Sequence, residues 1–294
     1  SGFQINNPHN SGFPGTWPIT TTCCLLAFAC AEGAITILYA FPITGHNCRE
    51  GLEHTLQLRC NTSIVARGIF PQLKGIRMKM TKPLARGITG GLGAPSKMPG
   101  YSWGIPASTC QLGSLLARKP GTICSKCYAL RGFYRIQSVQ DRLQAALDLF
   151  NIAAETTTGL DRWCDAMAWL IADSGDGYFR WFHSGDCQSP TMARAIFQVC
   201  DKTPRVKHWA PSRERDHWES AGTPPKNLAL RFSGTMIDGP PPKKKTRLAS
   251  TVSTGARLHG RRCPAHMQAN ACGDCRACWD KRITVIEYET NNVH

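Results

Sequence analysis

The fold class this sequence predicts is α/β: an incomplete, barrel-like (β/α) domain with cysteine-rich metal sites on its loops. Three observations point there. From Tyr101 onward, short apolar runs alternate with helical stripes. Polar, chemistry-bearing residues follow the ends of those runs, where parallel α/β folds keep their sites. Finally, the chain holds 15 cysteines, and seven of them fall into two tight groups.

Taken in order, residues 1–80 show no sustained helical or alternating period, so they are expected to be an extension with little ordered structure. Within it, the apolar stretch 23–43 carries Glu32 and Gly33 near its middle, and no Lys or Arg precedes Arg49. A signal peptide needs a positive start and a spanning helix avoids a central carboxylate, so the stretch reads as neither. Met78 and Met80 stand just before ordered patterning begins, so the functional protein is expected to start near one of them. The α/β metal-binding domain is then 81–294, with a C-terminal cysteine cluster at about 260–280.

A first strand is expected at 101–107, followed by a long cysteine-bearing loop. Ser138 with Asp141 three residues on resembles a capping box and opens a helix whose Val139, Leu143, Leu147 and Phe150 share one face. A second helix at 161–172 turns Trp163, Met167, Leu170 and Ile171 inward. The next strand, 178–182, ends in His183-Ser184-Gly185-Asp186, and Ser189-Pro190 is a favoured start for a helix through Cys200. Strands at 206–210 and 227–232 end in Pro211–Arg215 and in Ser233-Gly234. Prolines 240–242 followed by Lys243-Lys244-Lys245-Thr246-Arg247 predict an exposed, extended basic loop, and 283–288 reads as a last strand.

Lys and Arg outnumber Asp and Glu by 35 to 20, a formal net charge of +15. Such an excess favours polyanionic partners, nucleic acid or a nucleotide first and acidic membrane surfaces second. Spaced thiols in a long chain favour metal over a disulfide framework. Cys110, Cys124 and Cys127 form the first group: a C-x-x-C step lets two thiolates reach one ion and Cys110 adds a third. Three thiolates suit a four-iron cluster with one open iron, or zinc with a further ligand. Cys263, Cys272, Cys275 and Cys278 form the second, a complete set for tetrahedral zinc or a four-cysteine cluster, with His266 nearby as a substitute ligand. This second site is expected to be structural. Asp186 is the foremost candidate for a base, nucleophile or ligand-holder, with His183 beside it; Arg213 suits a carboxylate or phosphate.

The combination of Lys97–Ser102, Thr109-Cys110, Cys124-Ser-Lys-Cys127-Tyr128-Ala129, Ser184-Gly185-Asp186, 209–213 and Cys272-Gly-Asp-Cys275-Arg-Ala-Cys278-Trp279 resembles the gene product 88 family of phage proteins. That resemblance implies a phage or prophage origin and a setting in the host cytoplasm. At a second remove, the order of elements is similar to radical S-adenosylmethionine enzymes. It implies a reactive iron–sulfur cluster on Cys110, Cys124 and Cys127, with Gly185 and Asp186 at the cofactor; Ser184, Arg213 and Ser233, also at strand ends, are further candidates to bind it. The usual compact three-cysteine spacing is stretched here to thirteen residues between Cys110 and Cys124. Asp186-Cys187-Gln-Ser-Pro190-Thr191 is similar instead to guanine transglycosylases, which implies Asp186 as a nucleophile in base exchange. The expected function is thus an iron–sulfur enzyme that modifies nucleic acid or its precursor. The alternatives are a transglycosylase and a zinc-stabilised, non-enzymatic nucleic-acid-binding protein.

Overall fold

A computed structural model describes residues 79–242, 248–255 and 259–290. The chain divides between Ile76 and Arg77, and everything described belongs to the unit Arg77–His294. The expected extension, apart from Lys79 and Met80, and the basic run Lys243–Arg247 lie outside the described residues.

Among the described residues the strands form one parallel sheet of seven. They are β1 (Tyr101–Trp103), β2 (Tyr178–Trp181), β3 (Lys207–Ser212), β4 (Leu228–Ser233), β5 (Ala249–Ser253), β6 (Arg261–Arg262) and β7 (Val285–Glu289). Their order across the sheet is β1-β2-β3-β4-β5-β7-β6, every pair parallel. From β1 to β5 the spatial order is the chain order, so each new strand is added at the same edge. Right-handed crossovers then put the connecting helices on one face.

Helix α1 (Lys82–Thr89) is opened by the Thr81 hydroxyl and closed by Gly90, whose left-handed backbone (φ 78°) lies where a Cβ would meet the Ala146 backbone at 2.9 Å. α2 is Gln111–Ala117, α3 Gln137–Ala154, α4 Thr157–Asp173, α5 Pro190–Lys202 and α6 Arg215–Ala221. The Ser189-Pro190 start of α5 is as the sequence predicts, with the Met192 N–H donating to Ser189 Oγ at 3.1 Å. The helix expected from Ser138 exists, but it begins at Gln137 behind Ile136 and has no side-chain cap. Asp141 does not reach back; it accepts from Gln137 Nε2 at 2.7 Å, one helical turn away.

The strands' period of two sorts their side chains. Phe179, Trp181, Ala210, Leu228, Leu230 and Phe232 pack with α3, α4 and α5 in the main core, where Trp103 meets Trp163 edge-on at 5.5 Å. The opposite face carries Arg180, Trp209 and Arg231. It is covered by the cysteine-bearing segment before β7, whose Trp279 packs on Trp209 at 5.3 Å and donates Nε1–H to Phe179 O at 2.9 Å. Parallel strands covered on both sides read as near-continuous buried runs, as in β4. Helices therefore lie on one face of the sheet, and the second cysteine group lies on the other.

Candidate functional site

The chain leaves β1 through a short 3-10 turn (Ala107–Thr109), which delivers Cys110 to the start of α2. A second such turn opens at Cys124, and the Cys127 N–H donates to Cys124 O at 3.1 Å, so the C-x-x-C step is one tight turn. A Cβ added to Gly113 would stand 3.6 Å from Cys110 Sγ and 3.8 Å from Cys124 Sγ; both sulfurs face one gap beside α2. Burial raises the Cys110 thiol well above its ordinary value, and the negative charges of Asp186, Cys127, Cys124 and Glu214 add to that. Burial also raises Cys124, opposed by the charge of Arg213 and a hydrogen bond from it. The first cysteine group, Asp186 and Arg213 therefore occupy a single neighbourhood at the C-terminal ends of β1, β2 and β3.

Asp186 ties this neighbourhood together. Its Oδ1 accepts from Ser212 Oγ at 2.6 Å and from the Cys187 N–H at 2.7 Å, and its Oδ2 accepts from the Arg213 N–H at 2.7 Å. Ser212 Oγ in turn accepts from Trp218 Nε1 at 2.9 Å and the Glu214 N–H at 3.1 Å. Burial lifts the Asp186 carboxyl to about 6, against those three donors, with Glu214 adding to the rise. A carboxylate engaged on both oxygens is well placed to hold β2's end to β3's end, and poorly placed to attack a sugar carbon. Glu214 makes the next link: its Oε1 accepts from the Leu112 N–H at 2.7 Å and so pins the Cys110 turn to β3. No local pattern in the sequence signals this contact, which joins residues 102 positions apart.

Two left-handed residues, Phe182 (φ 54°) and Gly185 (φ 77°), bracket His183 and Ser184. At Gly185 a Cβ would lie 2.4 Å from Ile105 Cγ1 and 2.7 Å from Ile105 O, so only glycine allows the ends of β1 and β2 to close. The His183 carbonyl accepts from Tyr128 Oη at 2.6 Å and Tyr134 Oη at 3.3 Å, fastening the loop after Cys127 to β2. Burial, helped by the charges of Arg180 and Arg142, depresses the His183 imidazole to about 3, so it is neutral near pH 7 and a weak base. Its Nδ1, the Ser184 hydroxyl and Arg180 Nε are buried without a hydrogen-bond partner among the described residues. Ser233 pairs with Ser250 through their hydroxyls at 3.1 Å, and its carbonyl and that of Gly234 accept from Arg213 Nη1.

The second cysteine group lies beneath the sheet. Cys263 donates its N–H to Glu287 O at 2.8 Å, Cys272 to Lys97 O at 2.7 Å and Cys275 to Cys272 O at 2.9 Å. Cys278, 7% exposed, has its sulfur 3.2 Å from Tyr288 Oη, and burial pushes its thiol up to about 12. Burial raises Cys272 too; Cys263 and Cys275 add to the rise, and Arg180 and Arg276 oppose it. Arg231, fully buried, spreads its guanidinium over the carbonyls of Ala277, Cys278, Asp280 and Ile283, with no carboxylate partner in those bonds. His266 turns Nδ1 toward Cys263 O at 3.0 Å, within its own turn. All seven cysteines of the two groups are free thiols. Among the described residues, no group of three or more His, Cys, Asp or Glu side chains is drawn together tightly enough to enclose an ion.

These features define a parallel-sheet α/β protein with one thiol group at the strand ends and another under the sheet. The family model for gene product 88 matches residues 73–281, and the chain belongs to that family. No curated protein and no solved structure matches it significantly. No helix among the described residues is long and apolar enough to cross a membrane.

Proposed function

We propose that the protein is a phage-type metalloenzyme of the host cytoplasm, with a reactive iron–sulfur centre on Cys110, Cys124 and Cys127 and a closed metal site on Cys263, Cys272, Cys275 and Cys278. The observation that carries this reading is the convergence of the first group with Asp186 and Arg213 at the C-terminal ends of the strands. Sequential strand order with helices on one face is also what an incomplete (β/α) barrel requires.

The residues fit a soft metal in kind. Buried and half-buried thiols in groups of three and four are the donors iron and zinc take, though loading must draw the sulfurs closer and displace their protons. Charge balance supports the second site. Arg180 and Arg231 face the Cys272–Cys278 segment without a carboxylate in their hydrogen bonds, and thiolates on a metal supply the missing negative charge. A three-thiolate iron–sulfur cluster would supply electron transfer at its open iron.

Around it, this chain's residues have distinct tasks. Arg213 opposes the burial that raises Cys124, Glu214 holds the Cys110 turn, and Asp186 keeps Arg213 in place. The unpartnered Ser184 hydroxyl and His183 Nδ1 are groups for a polar cofactor to satisfy, S-adenosylmethionine by the likeness of the element order. The charge of +15 favours a nucleic acid or a nucleotide precursor as substrate. The transglycosylase reading draws less support, because Asp186 is already bonded through both oxygens. A zinc-stabilised binding protein is the remaining alternative.

Anaerobic purification with iron, zinc and acid-labile sulfide analysis decides among these. Iron with sulfide and absorption near ~400 nm is the expected result. A colourless protein holding only zinc would overturn the reactive cluster and leave the binding protein.

A further inference from the structure

At the opposite end of the sheet, where the parallel strands begin, lies a cavity of about 820 Å³. Arg205 and Lys207 stand on its rim before and at the start of β3, Lys226 before β4, and Arg261 on β6. The cysteine-bearing segment contributes Arg276, Lys281 and Arg282 from the other side. Asp274 and Asp280 are the acids in the lining, and Asp280 is taken by Arg282 at 2.8 Å. Six cations are therefore left against Asp274, although the charge of Lys207 also reaches Asp280, and none of the six is in an ion pair among the described residues.

We infer that this cavity docks the phosphate backbone of a nucleic acid, independently of sequence. Like charges turned toward one concavity repel each other until an anion enters, and a row of phosphates suits a groove walled by cations on both sides. The two aromatic side chains of the lining are not offered to bases: Tyr178 is flanked by Lys207 at 5.8 Å and Arg276 at 5.2 Å and packs edge-on against Trp279, which is itself buried. Without a free stacking platform, contact is with phosphates and carries no sequence readout. A membrane fits less well, because none of the exposed large apolar side chains lines the cavity. The wall is held by Arg231 on the carbonyls of Ala277, Cys278, Asp280 and Ile283 and by Trp279 on Phe179 O. The docking surface goes beyond the proposed chemistry: Cys275 lies in its lining, but none of those six cations is a proposed metal ligand.

The test is fluorescence anisotropy of the full chain with labelled duplex DNA of random sequence across a salt series, beside anionic phospholipid vesicles. Six phosphates neutralised give a log–log salt slope of about −5. Arg205→Gln with Lys226→Gln, both exposed, makes the slope shallower by about 2, whereas Arg162→Gln on the exposed side of α4 leaves it unchanged. Unchanged thermal melting of the variants shows that the groove still forms. Equal slopes for the groove pair and the α4 control, or binding to vesicles without binding to DNA, would overturn the inference. Metal content, measured on the same samples, keeps this outcome separate from the fate of the sulfur centres.

Discussion

The two cysteine groups share a ligand type and differ in how the fold holds them. The first hangs on two short turns between β1 and α3, tied to the sheet through side chains: Glu214 on the Leu112 N–H, and Tyr128 on the His183 carbonyl. The second is fixed by backbone. Cys263 donates to Glu287 O and Cys272 to Lys97 O, far along the chain, whereas the main-chain bonds of Cys110 and Cys127 stay within their own turns; the Arg231 side chain adds its grip on the carbonyls of the last turn. A site fastened through its main chain is suited to permanence, whereas one adjusted through charged side chains can be tuned and opened. The difference teaches that one sheet holds the same residue type in two ways, at its strand ends and beneath one face.

Breaking the fastening beneath the sheet has the largest expected effect. Arg231→Ala strands several buried carbonyls whose charge-assisted bonds contribute about 1.5–3 kcal/mol each, so a loss of about 3–5 kcal/mol is expected in urea unfolding. At the strand ends, Gly185→Ala meets Ile105 and an unfavourable φ, for about 2–4 kcal/mol by the same measurement. Asp186→Asn places an amide N–H against donors that need an acceptor and is expected to lose about 1–3 kcal/mol. If Asp186 acted only as a nucleophile, stability would not change.

A smaller effect sharpens the comparison through pH. Burial depresses His208 to about 3, with its ring bonded to Thr203 Oγ1 at 2.8 Å, and His183 is depressed likewise. The unfolded chain binds these protons more readily, so stability falls as pH drops from about 6.5 toward 3. Asp186 acts in the opposite sense: its raised carboxyl favours the folded state when protonated, and that contribution is lost as pH rises from about 4 to about 6. His208→Leu is expected to flatten the acid side of a melting-temperature profile, and an unchanged slope would remove His208 from the account.

How much of this was legible in the sequence depends on what marks each element. β2, β3, β4 and β7 announce themselves by apolar runs, and α5 by Ser189-Pro190. β5 was missed because Ala249–Ser253 is built of small, mostly hydroxyl-bearing residues, yet it is buried at every position. It needs little bulk because it is covered on both faces. α1, α2 and α6 are eight residues or fewer, too short for a periodic stripe to stand out. The convergence of Cys110, Asp186 and Arg213 could be anticipated from the rule that parallel strands carry their sites at one end. Arg180 and Arg231 could not, since an arginine inside a strand looks like a solvent-facing position until the covering segment is in place.

The most direct measurement is metal per chain, by mass spectrometry of anaerobically purified wild type, Cys124→Ala and Cys275→Ala. With each group holding its own centre, Cys124→Ala retains the metal beneath the sheet and near-wild-type stability. Cys275→Ala loses that metal and melts well below wild type, by about 1 kcal/mol or more. Equal metal loss in both variants, or a wild type that binds none, would contradict two separate sulfur centres.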